Sequence, residues 1–165
     1  MIRLARETEE DMWEVEGLYD LCFAPGREAL SSYRLRDRVP PVANLCLVAR
    51  DDLGIVAGAI RFWPVRVATH DALLLGPIAV HPTRQGEGLG AYLIRESLTR
   101  APGARVLLVG DAPYYGRFGF EKLSEVKMPA PTNPDRVLGR GPWTGISGLV
   151  TPVASADVTD CATTP

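Results

Sequence analysis

Gln85-Gly86-Glu87-Gly88-Leu89-Gly90 is the segment of this chain whose residue types and spacing point most directly to chemistry. Glycine at alternate positions lets the backbone bend tightly and leaves no Cβ between its amides and a ligand. Where such a loop opens a helix, unpaired N–H groups and the positive end of the helix dipole converge on one spot, which suits a phosphate or pyrophosphate. The alternative is a flexible turn that merely caps a helix, but the order strand, loop, helix favours the anion. The Walker pattern ends in Gly-Lys-Ser/Thr, and Gly90-Ala91-Tyr92 does not. Gly86, Gly88 and Ala91 do satisfy G-x-G-x-x-A, and Asp111 lies about 20 residues on, where a ribose-binding acid would stand. Against that reading, five residues separate Val80 from Gly86, and too little chain follows Asp111 for further βα units.

The strand before the loop carries a second signal. Leu73-Leu74-Leu75-Gly76-Pro77-Ile78-Ala79-Val80 places Gly-Pro inside a strongly apolar run. Proline cannot donate to a ladder, so Gly76-Pro77 predicts a bulge that re-aims the strand and opens a gap for an extended, amide-bearing ligand. An irregular edge strand is the alternative.

These segments need elements to position them. Ile2–Arg6 alternates like a half-buried strand. Thr8 and Asp11 form a box-like cap for a helix whose inner face is Met12, Val15, Tyr19, Cys22 and Phe23, stopped by Pro25-Gly26. Residues 45–50, 55–67 and 72–80 read as an antiparallel meander. Residues 89–100 read as a helix burying Leu93, Ile94, Ser97 and Leu98. The strand expected at 105–109 then lies parallel to 72–80, as a crossover unit requires. A short helix near 113–117, strands at 118–123 and 143–150, and a proline-rich loop at 129–134 complete the set. From Thr151 onward the chain is small and polar and reads as a disordered tail.

Taken together, these residues resemble the GNAT superfamily of acetyl-CoA-dependent N-acyltransferases, and within it the bacterial YhbS-like members. The resemblance rests on Leu75 to Pro82, on Arg84 to Gly90 and on Tyr114-Tyr115-Gly116-Arg117-Phe118-Gly119-Phe120, three motifs in order. It implies an α+β fold in one domain, residues 1–150, with a tail at 151–165. That fold has a central mixed, mostly antiparallel sheet, a splayed parallel strand pair and flanking helices. The resemblance implies that backbone groups of Ile78, Ala79 and Val80 pair with the pantetheine arm. Gln85, Gly86, Glu87, Gly88, Leu89 and Gly90 would hold the pyrophosphate, with Ala91 starting the helix behind them and Arg84 near a CoA phosphate. Tyr115, in the Tyr-x-x-x-Gly-Phe pattern, matches the family's usual general acid, with Tyr114 beside it. The asparagine many members carry ahead of this tyrosine is absent between Val106 and Tyr115, and no acid lies between Ala72 and Val80. His70, His81 and Asp111 are candidates for the base.

The expected reaction moves an acetyl group from acetyl-CoA, the acyl donor, to a primary amine of a small molecule or protein by direct attack, without a metal. A non-catalytic acyl-CoA-binding regulatory module and a nicotinamide-dependent oxidoreductase are the alternatives. Arg27, Glu28, Arg34, Arg36, Asp37, Arg38 and the loop 126–142 are expected to border the acceptor site. A net charge of −2 with interspersed signs gives no field for nucleic acid or an anionic membrane. Three distant cysteines without C-x-x-C spacing fit neither a disulfide framework nor a zinc site. No signal peptide and no spanning run of about 18 apolar residues is legible. A soluble, cytoplasmic protein follows, with a homodimer through its last strands as a possible assembly.

Overall fold

The computed structural model describes residues 1–23 and 31–153. In chain order its elements are Arg3–Arg6 (β1), Met12–Cys22 (α1), Ser31–Arg34 (α2), Leu47–Arg50 (β2), Val56–Val67 (β3), His70–Val80 (β4), Leu89–Thr99 (α3), Val106–Val109 (β5), Ala112–Tyr115 (α4), Glu121–Lys122 (β6), Val126–Lys127 (β7), Val137–Arg140 (β8) and Gly148–Pro152 (β9). Two units divide the chain, one of Met1–Arg27, Val42–Phe62 and Leu75–Pro102, the other of Glu28–Pro41, Trp63–Leu74 and Gly103–Pro165. Strands β3 and β4 each run through both. Among the described residues no helix is long and apolar enough to cross a membrane.

In the first unit β1 pairs antiparallel with β2 (Arg3↔Arg50 to Arg6↔Leu47), and β2 with β3 (Leu47↔Ile60 to Arg50↔Val56). Successive side chains of β3 point to opposite faces. On one face, Gly58 meets the side chains of Leu89 and Leu93 of α3. On the other, Ala59 joins Val15, Leu18 and Tyr19 of α1 and Ala79 of β4 in one apolar cluster. The expected inner face of α3 is the observed one, Leu93, Ile94, Ser97 and Leu98, with Leu89 added. Ser97 is fully buried because its hydroxyl donates to Leu45 O at 3.4 Å.

The expected Thr8–Asp11 box is present but caps a 3-10 turn, Glu9–Asp11, that leads into α1: Thr8 N–H donates to Asp11 Oδ2 at 2.7 Å. Its inner face differs by one residue. Met12 is the first residue of the helix and 52% exposed, and Leu18 takes the inward place instead. The helix ends at Cys22, where Phe23 is already extended. Pro25-Gly26, Arg27 and Glu28 lie outside the described residues.

A buried charge joins β3 to α1. Arg61, only 8% exposed, bonds Glu7 through Nε and Nη2 and Glu16 through Nη1 at 2.6 Å. Its guanidinium carbon lies 5.1 Å from the Tyr19 ring centroid. Two carboxylates and an aromatic face offset the desolvation that would otherwise expel this cation.

In the second unit β4 runs parallel to β5 with Leu73↔Val106 and Leu74↔Leu107, the expected crossover pairing. Sequence reading missed β8, antiparallel to both β5 and β6, and β7, which pairs parallel with β9. The stretch 126–142 is therefore not one loop, and Val126, Met128 and Val137 belong to the apolar core of this unit. Two- and four-residue strands are too short to show a period. Likewise the strand expected at 118–123 shrinks to Glu121–Lys122, because Phe118 ends a 3-10 turn. The last strand begins at Gly148 and continues through Pro152, where Val65↔Pro152 and Val67↔Val150 tie it to β3. Ordered chain thus extends past Val150, and residues 154–165 lie outside the described set.

Gly58 sets how closely α3 seats on β3. A side chain there would meet Leu93 Cδ1 at 3.0 Å, Leu89 Cδ2 at 3.2 Å and Ala79 O at 3.3 Å. Overpacking of this kind costs about 1–3 kcal/mol, so Gly58→Val should lower the melting temperature by about 2–12 °C in a thermal denaturation scan.

Candidate functional site

The first unit contains the glycine loop. His81 caps a 3-10 turn, Pro82–Arg84, with its Nδ1 accepting from Thr83 N–H at 3.2 Å. The chain then passes Gln85 and turns at Gly86 (φ +87°) and Gly88 (φ +79°), the N-cap of α3. An L side chain is strained at either φ. A Cβ built at either glycine would meet nothing within 4 Å, so conformation rather than crowding demands glycine there. Tyr92 N–H donates to Gly88 O at 3.0 Å as the first helical bond. The amides of Leu89, Gly90 and Ala91 precede it and have no carbonyl within the helix. Leu89 is buried, whereas Gln85, Gly86, Glu87 and Gly88 are exposed. An anion reaching this turn would find several donors and a positive dipole end.

Arg84 flanks the loop, but its guanidinium is engaged. Nη2 lies 3.3 Å from Asp51 Oδ2 and Nη1 3.3 Å from Glu87 Oε2. Asp51 meanwhile accepts from the amides of Leu53 and Ile55 through Oδ1. The Ile55 amide first, then the Leu53 amide and Arg84, hold its carboxyl below the usual range against the opposing effect of burial. Asp51 was legible in the sequence only as a turn residue, and its partnership with Arg84 was not.

The end of β4 lies in the same unit. His81 N–H donates to Ala57 O of β3 at 2.8 Å. Backbone groups alternate direction along a strand, so those of Ala79 face β3 while those of Ile78 and Val80 turn to the opposite edge. Val80 O instead receives two side chains, Gln85 Nε2 at 3.4 Å and Cys22 Sγ at 3.3 Å. Tyr19 donates its hydroxyl to Pro77 O at 3.1 Å. Gly76 has φ +136°. Sequence reading placed Tyr19 and Cys22 on the buried face of a helix but gave no sign of these bonds, since nothing local specifies which carbonyl a side chain will meet.

Tyr115 belongs to the second unit, at the end of α4. The spacing Tyr-x-x-x-Gly-Phe has a visible cause here. Gly119 takes φ +87°, the chain reverses, and Phe120 N–H returns to Tyr115 O at 3.3 Å. The Phe120 ring packs edge-on to Tyr115 with centroids 6.0 Å apart, and Tyr114 does so at 4.9 Å. The other flank of the ring lies against Gly110, where any Cβ would collide with it. The phenol is half-buried, and no hydrogen-bond partner is recorded for its hydroxyl among the described residues. Burial first, then the nearby Tyr114 and Asp111, push its pKa above the ordinary phenol value, against a smaller opposing pull from Arg136. Tyr115 is therefore protonated throughout the neutral range.

The candidate bases fare unequally. A backbone N–H can only donate, so the Thr83 amide fixes the His81 Nδ1 lone pair and a neutral ring carries its proton on Nε2. That arrangement caps a turn and leaves no free lone pair. His70 is exposed at the start of β4. Asp111 pairs with Arg136 at 3.4 Å beside an open cavity of about 450 Å³. Of the expected acceptor-site arginines, Arg34 donates to Ala130 O at 3.0 Å and Arg36 stacks over the rings of Tyr33 (3.3 Å) and Trp63 (4.8 Å). Among the described residues, no group of three or more His, Cys, Asp or Glu could hold a metal ion.

The model of the acetyltransferase (GNAT) domain family matches residues 43–122. An uncharacterized N-acetyltransferase of Escherichia coli strain K12, YhbS, is 37% identical over 112 residues, which span 65% of this chain and 66% of that protein. The crystal structure of E. coli YhbS in complex with CoA superposes with a TM-score of 0.77 at 29% identity, covering 92% of this chain and 89% of that one. A GNAT family acetyltransferase from Brucella melitensis, in complex with acetyl-CoA, is 30% identical with a TM-score of 0.67, covering 95% and 98%. Likeness of this extent carries the fold, a mixed and mostly antiparallel sheet with a parallel strand pair and flanking helices. The chain belongs to the GNAT family of acetyltransferases and has its α+β fold.

Proposed function

We propose that this chain is an N-acetyltransferase that moves an acetyl group from acetyl-CoA to a primary amine of a small molecule or protein. One observation supports it above the others. Within one unit, a strand end whose Ile78 and Val80 backbone groups face away from β3 leads into a glycine loop at whose end the Leu89, Gly90 and Ala91 amides have no carbonyl within the helix. Family membership and relatives solved with CoA and acetyl-CoA fit the same reading.

Ile78 and Val80 receive the pantetheine amides, while Ala79 between them keeps its backbone groups turned to β3, which corrects its expected pairing with the donor, and Gln85 to Ala91 hold the pyrophosphate. Arg84, braced by Asp51 and Glu87, adds positive charge beside that anion. A neutral amine attacks the thioester carbonyl and forms the C–N bond. The oxyanion that develops is met by the N–H of Ile78 or Val80, a contact worth about 3–4 kcal/mol where such donors have been removed. The C–S bond then breaks, and the sulfur takes its proton from the Tyr115 hydroxyl. The surplus proton of the amine leaves to water, and the Tyr115 phenolate takes a proton back from water to close the cycle. The raised pKa of Tyr115 keeps the acid loaded at neutral pH. In this reading the catalytic domain runs from residue 1 through β9 and works in the cytoplasm.

Acetyl-CoA at about 100 times its Kd should raise the melting temperature by about 5–10 °C, while NAD and ATP leave it unchanged. A shift with NAD alone would contradict the assignment. Tyr115→Phe should lower CoA-thiol release across a panel of primary amines by about 10²–10⁴-fold while CoA affinity, read by calorimetry, is kept. The pH profile supplies a separate check. With its pKa raised, Tyr115 stays protonated until pH exceeds the ordinary phenol range, so the wild-type rate should fall only above that range. The residual rate of Tyr115→Phe should lack this limb.

A further inference from the structure

We infer that Tyr19 and Cys22 of α1 are positioning residues for the acyl donor, holding through the Pro77 and Val80 carbonyls the strand segment that receives it. The inference rests on the function proposed above. The Tyr19 hydroxyl lies 3.1 Å from Pro77 O and the Cys22 thiol 3.3 Å from Val80 O. Three residues apart, the two side chains share one face of the helix, and the carbonyls they meet are likewise three residues apart. Between those carbonyls Ala79 is 5% exposed and belongs to the same apolar cluster as Val15, Leu18 and Tyr19. The segment Pro77–Val80 is thus held at a polar end, an apolar middle and a polar end.

This part of β4 needs such support. Pro77 brings no N–H to a ladder, and Gly76, at φ +136°, departs from regular strand geometry. Where ladder bonds are fewer, another donor must set the direction of each carbonyl. Tyr19 suits that task because it is itself fixed: it is wholly buried, and the Arg61 guanidinium over its ring is bonded to Glu7 and Glu16. Gln85 also donates to Val80 O, at 3.4 Å. A single carbonyl therefore ties α1, β4 and the glycine loop together. Rotating it would turn the Val80–His81 peptide, at the end of the segment that is to meet the pantetheine, and would disturb the loop that is to meet the pyrophosphate.

The test titrates CoA itself into the full chain by isothermal calorimetry, with a melting curve for each variant. One net hydrogen bond corresponds to about 2–12-fold in an equilibrium constant. Tyr19→Phe keeps the ring and removes the donor, and Cys22→Ala removes the thiol. Each should weaken CoA binding by about 2–12-fold. Cys22→Ser retains a donor and should bind CoA within about twofold of the wild type. A role in stability alone would lower the melting temperatures and leave CoA affinity unmoved. Unchanged affinity in both Tyr19→Phe and Cys22→Ala would overturn the inference, as would an equal loss in Cys22→Ser and Cys22→Ala. Should Tyr19→Phe fail to fold, the two Cys22 variants decide. If these variants bind CoA like the wild type, the proposed function stands without the inference; if the wild type binds no CoA, both fall.

Discussion

A helix leaves its first amides without carbonyl partners, and in α3 those of Leu89, Gly90 and Ala91 sit directly behind a turn of two left-handed glycines. Everything proposed for this chain depends on how those donors are aimed. Two features aim them. The helix is seated by Leu89 and Leu93 against Gly58, where the missing side chain allows close approach. The turn is steadied from the side by Arg84, whose two carboxylate partners come from the β2–β3 turn and from the loop itself. The first is packing that salt does not weaken. The second joins a half-buried Arg84 and Asp51 to an exposed Glu87, and its long 3.3 Å contacts add orientation more than energy.

The strand that precedes the loop breaks local rules in a way that uniform stability would not favour. It carries Gly-Pro in an apolar run, and polar side chains from α1 meet its carbonyls. Nearby, β3 buries an arginine among two glutamates and a tyrosine ring. Consistent local preferences are what make a sequence fold to one state, and departures from them concentrate at functional sites. Here they converge on Pro77 to Val80. In the second unit the same logic explains Tyr115: a left-handed Gly119 and a side-chain-free Gly110 make room for a phenol packed on Phe120. Burial, the main cause of its raised pKa, also keeps the proton on it.

Much of this was legible from residues alone. The glycine loop, the inner face of α3, the meander and the parallel pairing of β4 with β5 follow from periodicity and from Gly and Pro placement, which are local signals. What escaped reading was either short or non-local. Strands β7 and β8 span two and four residues, too few for a period to show against the prolines around them. Met12 was placed inward by spacing, but a helix's first turn can overhang its sheet, and Leu18 filled the position. The bonds of Tyr19, Cys22 and Asp51 join residues 58, 58 and 33 positions apart, and no pattern within a window of the chain encodes them. His81 shows the converse case. Residue type made it a candidate base, and its neighbour Thr83 made it a cap.

The central claim is that main-chain amides at the α3 N-terminus and the end of β4 bind the acyl donor together. Titrating unlabelled CoA into the ¹⁵N-labelled chain and following the amide resonances tests it at the atoms concerned. The largest shifts should fall on Gly86, Gly88, Leu89, Gly90 and Ala91 together with Ile78 and Val80. Saturable CoA binding that leaves those amides in place and moves others would contradict the account.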